Sequence, residues 1–121
     1  MTISQALSRV DALCPNQRSI TEKLAWLYQL DGLCLDFMRG YEGVDTLTPP
    51  FYTEADLEVE LLIPPPHDEV YVHYLHAMIM YAMGEFSKYE NALVQYNNAM
   101  QQFRVGFART HMPIQPRKRM F

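Results

Sequence analysis

Between Phe86 and Phe107 seven large side chains, Phe86, Tyr89, Leu93, Tyr96, Met100, Phe103 and Phe107, recur at steps of 3, 4, 3, 4, 3 and 4. That rhythm places all of them on one face of an α-helix and fits no strand, whose faces alternate every second residue. The spacing predicts a helix from near Phe86 to near Thr110, stopped before Pro113. A helix with one apolar stripe must lie against another element, and Gly84 just before it permits a tight reversal. The preceding segment, about Glu69 to Met83, is expected to be helical and to bury Tyr71, Leu75, Met78 and Ala82. Asp68 suits its N-cap, and Glu69 is favourable beside the positive helix end. The last third of the chain thus reads as a helical hairpin.

Two further helices are expected upstream. One runs from about Ile3 to Leu13, with Ile3, Leu7, Val10 and Cys14 on one face and Pro15-Asn16 ending it. The next runs from about Ile20 to Arg39, introduced by Ser19 and Glu22 in capping-box spacing. Its buried stripe is Leu24, Leu27, Leu30, Cys34 and Phe37; Trp26 lies off that line, at an edge or in a subunit contact. Gly32 marks either a close backbone approach or a tolerated surface glycine. Cys14 and Cys34 lack CxxC spacing and read as small buried hydrophobes.

From Gly40 to Pro66 the helical period disappears among glycines and prolines. Asp56 to Leu61 alternates strictly, as a strand with one wet and one buried face would, and places Leu57 and Val59 on the apolar side. A lone strand needs a partner, either a hairpin within residues 44–62 or a neighbouring subunit. An insertion of this length in a small domain is usually a working part.

With 121 residues, 49% of them apolar, the chain is expected to form one domain with one modest core. No stretch reaches the roughly 18 apolar residues of a membrane span, and the opening residues lack the blocks of a signal peptide, so a cytoplasmic protein is expected. The net charge of -4 conceals an asymmetry: Arg104, Arg109, Arg117, Lys118 and Arg119 are five of the ten bases, with no acid among them, while all fourteen acids precede them. An acidic body with a cationic end disfavours non-specific nucleic-acid binding by the whole domain.

Chemistry is hard to find. His73 and His76 stand three apart within reach of Glu69, but a metal site needs further ligands that no motif supplies, so they read as helix-surface histidines. Asp56, Glu58 and Glu60 read as the wet face of a strand rather than an acid/base pair. No nucleophile elbow, phosphate loop or dinucleotide fingerprint occurs. The expectation is a non-enzyme with no cofactor and no metal. Tyr74 and Tyr81, read as off the main seam, are the expected subunit contacts along with Leu57 and Val59. In the tail, Met112, Ile114, Met120 and Phe121 alternate with charges, and Pro113 and Pro116 favour an extended backbone, which suits a docking arm.

The run Leu61-Leu62-Ile63-Pro64-Pro65-Pro66-His67-Asp68-Glu69-Val70-Tyr71, then Met83-Gly84-Glu85, Lys88-Tyr89-Glu90-Asn91 and Arg109-Thr110-His111-Met112-Pro113, resembles phage and prophage proteins of the neck adaptor type. So does the opening, Arg9-Val10-Asp11-Ala12-Leu13-Cys14-Pro15-Asn16-Gln17, with Leu30-Asp31-Gly32 downstream. Such head-to-tail connector, or head-completion, proteins are mostly helical subunits forming a ring below the portal of tailed bacteriophages. The resemblance implies an arm that docks on the portal through Arg109, His111, Met112, Ile114, Arg117, Lys118, Arg119, Met120 and Phe121. It also implies a loop at Gly40 to Pro66 facing neighbouring copies or the next neck or tail component. An acidic body suits a lumen through which DNA slides without sequence-specific binding.

The expected architecture is an all-α, small four-helix bundle over residues 1–110, with a short β-strand or hairpin in the long loop at 40–66 and an extended basic arm at 111–121. The expected function is a structural virion protein linking portal to tail as a homo-oligomeric ring, made in the host cytoplasm and binding no membrane. The alternative is a cytoplasmic helical interaction or regulatory module.

Overall fold

The computed structural model describes residues 1–44 and 50–114. Four helices form, α1 (Ile3–Leu13), α2 (Ile20–Met38), α3 (Glu69–Ala82) and α4 (Phe86–Thr110), with one 3₁₀ turn at Glu54–Asp56 in the long connection. The four-helix architecture is as expected, and among the described residues there is no sheet.

α3 and α4 are the antiparallel hairpin, reversing at Gly84 with φ +75°. Ring pairs set its register: Tyr81 meets Tyr89 at 5.1 Å, Tyr74 meets Tyr96 at 5.1 Å, and His67 meets Phe103 at 6.1 Å. Each step of seven residues back from Tyr81 matches a step of seven forward from Tyr89, the rung spacing of helices packed along a shallow crossing. Tyr74 and Tyr81 therefore lie on the hairpin seam, correcting the reading that set them off it.

α3 is the central helix, packed against α1, α2 and α4. Val70, Tyr71, Val72, Leu75, Ala77, Ile79 and Met80 are buried, so burial wraps around it instead of following one stripe. Ala82, expected inside, is exposed, and Met78 is half-buried. On α2, Leu24, Leu27, Leu30 and Cys34 are buried as expected, but so are Trp26, Leu35 and Met38, while Phe37 is only half-buried. α2 meets both α3 and the 3₁₀ turn of the long connection, so its buried face is wider than one stripe, and Trp26 is buried, not at an edge. On α4 the seam divides. Met100, Phe103 and Phe107 are buried, where Phe37 and Tyr41 also cover them, whereas Phe86 is exposed because the first turns meet only the end of α3.

The caps follow local chemistry. Thr2 and Gln5 form a capping box on α1: Gln5 N–H donates to Thr2 Oγ1 at 3.1 Å and Thr2 N–H to Gln5 Oε1 at 2.8 Å. Ser19 accepts the Glu22 N–H at 3.1 Å, but Glu22 turns its carboxylate toward Arg18 instead of returning a bond. Asp68 makes no side-chain cap on α3. The N–H groups of Val70 and Tyr71 are already taken by the carbonyls of His67 and Asp68, and the Asp68 carboxylate accepts from the Met1 ammonium at 3.2 Å.

The strand expected at Asp56 to Leu61 does not form. The segment turns on itself, with Asp56 N–H on Thr53 O and Val59 N–H on Asp56 O, both at 2.9 Å. It then crosses the start of α1, where Leu57 O accepts from Ser4 N–H at 2.8 Å and Val59 O from Ile3 N–H at 3.1 Å. These carbonyls satisfy two of the donors that every helix leaves open at its first turn. A single bridge, Thr2 to Glu60, is all the pairing it makes. Gly32 has open space where a Cβ would stand; the close approach is at Gly106, where a Cβ would lie 2.8 Å from His67 Nε2.

Candidate functional site

Three features concentrate polar or exposed chemistry: a buried carboxylate beneath the loop, the root of the arm, and the tip of the hairpin.

Asp31 is fully buried on the apolar stripe of α2. Its carboxylate accepts from the hydroxyls of Tyr52 and Tyr71 and from the Leu62 N–H at 3.2 Å. The Tyr71 hydroxyl in turn accepts the Ile63 N–H at 2.6 Å. α2, the loop and α3 thus meet on one side chain, and every buried side-chain polar atom among the described residues has a partner. Burial pushes the Asp31 carboxyl above the usual carboxylate range, against the hydrogen bonds from Tyr52, Tyr71 and the Leu62 N–H that pull it down. Burial, with the adjoining Asp31, also raises both tyrosines, and it pushes the Cys34 thiol up to about 12. Cys14 and Cys34 are free and buried, small apolar fillers in effect. The hub was missed in the sequence, although an acid at a buried-stripe position between Leu27 and Cys34 is a readable signal.

The arm leaves α4 in a defined direction. His111 stacks on Phe107 at 3.7 Å, its Nδ1 3.0 Å from the Phe107 carbonyl oxygen. Beyond it, Glu42 N–H donates to Met112 O and Ile114 N–H to Gly40 O, both at 2.9 Å, with Tyr41 bridging to Pro113. Tyr41 also packs edge-on against Phe107 at 5.1 Å. Of the expected docking residues, Arg109 is exposed in the last turn of α4, His111 is half-buried, and Met112 and Ile114 are 63% and 49% exposed. Arg117, Lys118, Arg119, Met120 and Phe121 lie outside the described residues.

The expected subunit contacts fall in two places. Tyr74 is half-buried on Tyr96, while Tyr81 is 57% exposed at the hairpin tip beside Phe86, itself 58% exposed. Leu57 and Val59 lie against the start of α1, at the end of the bundle where Met1 meets Asp68. Leu57 is half-buried and Val59 exposed, so the structure does not bring the four together.

His73 and His76 are half-buried on α3, and burial, with His73 beside it, holds His76 below the usual imidazole range. The neighbouring Glu69 carboxylate is engaged by Arg9 at 2.8 Å. Among the described residues no group of three histidine, cysteine or acidic side chains is placed to hold a metal, and no helix is long and apolar enough to cross a membrane. Comparison with family models, with curated proteins and with solved structures finds no match for this chain.

Proposed function

We propose that the chain is a structural adaptor of the tailed-bacteriophage neck, a helical subunit standing with copies of itself in a ring between portal and tail. It would act in the virion after assembly in the host cytoplasm, without catalysis, cofactor or membrane. The observation that carries this reading is the root of the arm. Two main-chain hydrogen bonds fix residues 112–114 against Gly40 and Glu42 while the Met112 and Ile114 side chains face water. A segment held in place before binding loses little entropy when a partner covers its apolar groups. In this reading the arm docks on the portal, the loop meets a neighbouring copy or the next component, and the acidic body lets DNA pass. Deleting Pro113 to Phe121 is expected to leave a folded protein that no longer binds portal protein. Electron microscopy of protein mixed with portal is the direct test. A ring beneath the portal supports the reading, and binding that survives the deletion overturns the role of the arm.

A second reading, a helical protein-interaction or regulatory module, is favoured by the exposed tip, where Tyr81, Met83 and Phe86 face solvent. Absence of portal, capsid and tail genes beside this one would favour it.

A further inference from the structure

The loop between α2 and α3 and the C-terminal segment are opposite in charge. Residues 40–66 hold six acids and no lysine or arginine, whereas residues 104–121 hold five bases and no acid. Within the loop, Asp56 caps Thr53 and Glu60 accepts from the Met1 ammonium. Glu54 and Glu58 are left exposed, without a partner among the described residues. Beside Glu54 a groove of about 330 Å³ opens between the first turns of α2 and the loop, walled by Leu24, Ala25, Tyr28 and Phe51. The Phe51 ring lies 4.8 Å from that of Tyr28, yet Phe51 is 67% exposed.

An apolar slot with the unpaired Glu54 carboxylate on its wall, and the unpaired Glu58 four residues further along the same loop, fits an occupant that carries apolar anchors next to cations. The chain itself contains one, Arg117-Lys118-Arg119-Met120-Phe121. We infer that this groove receives residues 117–121 of a second copy of the chain, Met120 and Phe121 against Tyr28 and Phe51, the cations against Glu54 and Glu58. The inference rests on the arm being a docking element, as proposed above; it gives residues 117–121 to a neighbouring copy and leaves Arg109 to Ile114, with Met112 and Ile114 exposed, for the portal.

Geometry favours a second copy over the same chain. The Ile114 N–H on Gly40 O roots the arm at the C-terminal end of α2, whereas the groove opens on its first turns. From Ala25 to Met38 the helix climbs about 20 Å. Met120 and Phe121 follow Ile114 by six and seven residues, at most roughly 20 to 25 Å of fully extended chain, so seating them in its own groove would require the arm to run nearly straight back along α2. Because the two patches differ, the contact is heterologous, the kind that closes a ring or extends a filament.

Sedimentation of the full chain at low and high ionic strength tests this. Self-association is expected at low ionic strength and should weaken as salt screens the contact. Reversing one side, with Glu54→Lys and Glu58→Lys or with Arg117→Glu and Arg119→Glu, is expected to weaken it about tenfold or more, and Phe51→Ala to weaken it without a charge change. Combining the two reversed sets should restore association, with circular dichroism checking that each variant is folded. Association indifferent to the reversals, failure of the combined set to restore it, or a monomer at every concentration overturns the inference. Portal binding is read separately: its loss in the unaltered chain sinks the neck reading, and persistent self-association in the Glu54→Lys, Glu58→Lys protein sinks only this one.

Discussion

The Tyr71 hydroxyl donates to Asp31 and accepts the N–H of Ile63, so a single phenol ties α3 to α2 and to the end of the long loop. Asp31→Ala would strand two buried hydroxyls and the Leu62 N–H, and should cost about 3 to 5 kcal/mol in urea unfolding. Tyr52→Phe leaves Asp31 with two of its three donors and should cost about 1 to 2 kcal/mol. A cost for Asp31→Ala below about 1 kcal/mol would show that the loop is held elsewhere.

The same carboxylate gives stability a readable pH dependence. Burial raises its folded pKa above the unfolded value of about 3.9, so between the two values the native state holds a proton that the unfolded chain has released. Asp31's contribution is fully present below about pH 4 and is lost as pH rises through the raised folded value. Asp31→Asn removes this dependence. The stability of the native sequence relative to that variant should therefore be greatest in acid and fall toward neutral pH. A difference that instead grows with pH would mean that hydrogen bonding, and not burial, dominates at Asp31.

What was legible in the sequence depended on the range of the interaction. α1 was readable over Ile3–Leu13 because its apolar face and the Pro15-Asn16 stop are both local signals. The alternation from Asp56 to Leu61 misled because a turn that caps another helix can also bury Leu61, half-bury Leu57 and expose Val59. Asp31 was overlooked because Tyr52 and Tyr71 lie 21 and 40 residues away, and no local pattern links them. For the candidate site, the charge and apolar content of the arm were plain in the sequence. Its anchoring to Gly40 and Glu42 was not, since main-chain hydrogen bonds leave no side-chain signature.

Two helical glycines should respond oppositely to alanine. At Gly32 nothing lies within 4 Å of the added Cβ, so Gly32→Ala should stabilise by about 0.5 to 1 kcal/mol through helix propensity. At Gly106 the same gain meets a His67 ring whose Nε2 would lie 2.8 Å away, and that ring is itself packed on Phe103. Overpacking of about 1 to 3 kcal/mol should win, making Gly106→Ala destabilising. In a His67→Ala background the sign should reverse. A double-mutant cycle measures this, and a coupling near zero would show that the ring moves aside freely.

The apolar seam of α4 has one period but two fates, and truncation separates them. Phe103 is buried among His67, Phe37 and Phe107, with ring centroids at 6.1, 6.0 and 5.8 Å. Removing it leaves a cavity that the surrounding helices fill only in part, so Phe103→Ala should cost about 3 to 5 kcal/mol. Phe86 belongs to the same stripe, but its one ring contact among the described residues is Tyr81 at 5.7 Å, and it is 58% exposed. Phe86→Ala should therefore cost less than about 1 kcal/mol, since little apolar area leaves the core. If denaturation showed the two costs to be equal, the first turns of α4 would have to be covered in solution. The tip would then be an occupied interface between copies, and the cost at Phe86 would fall on dilution as the copies separate.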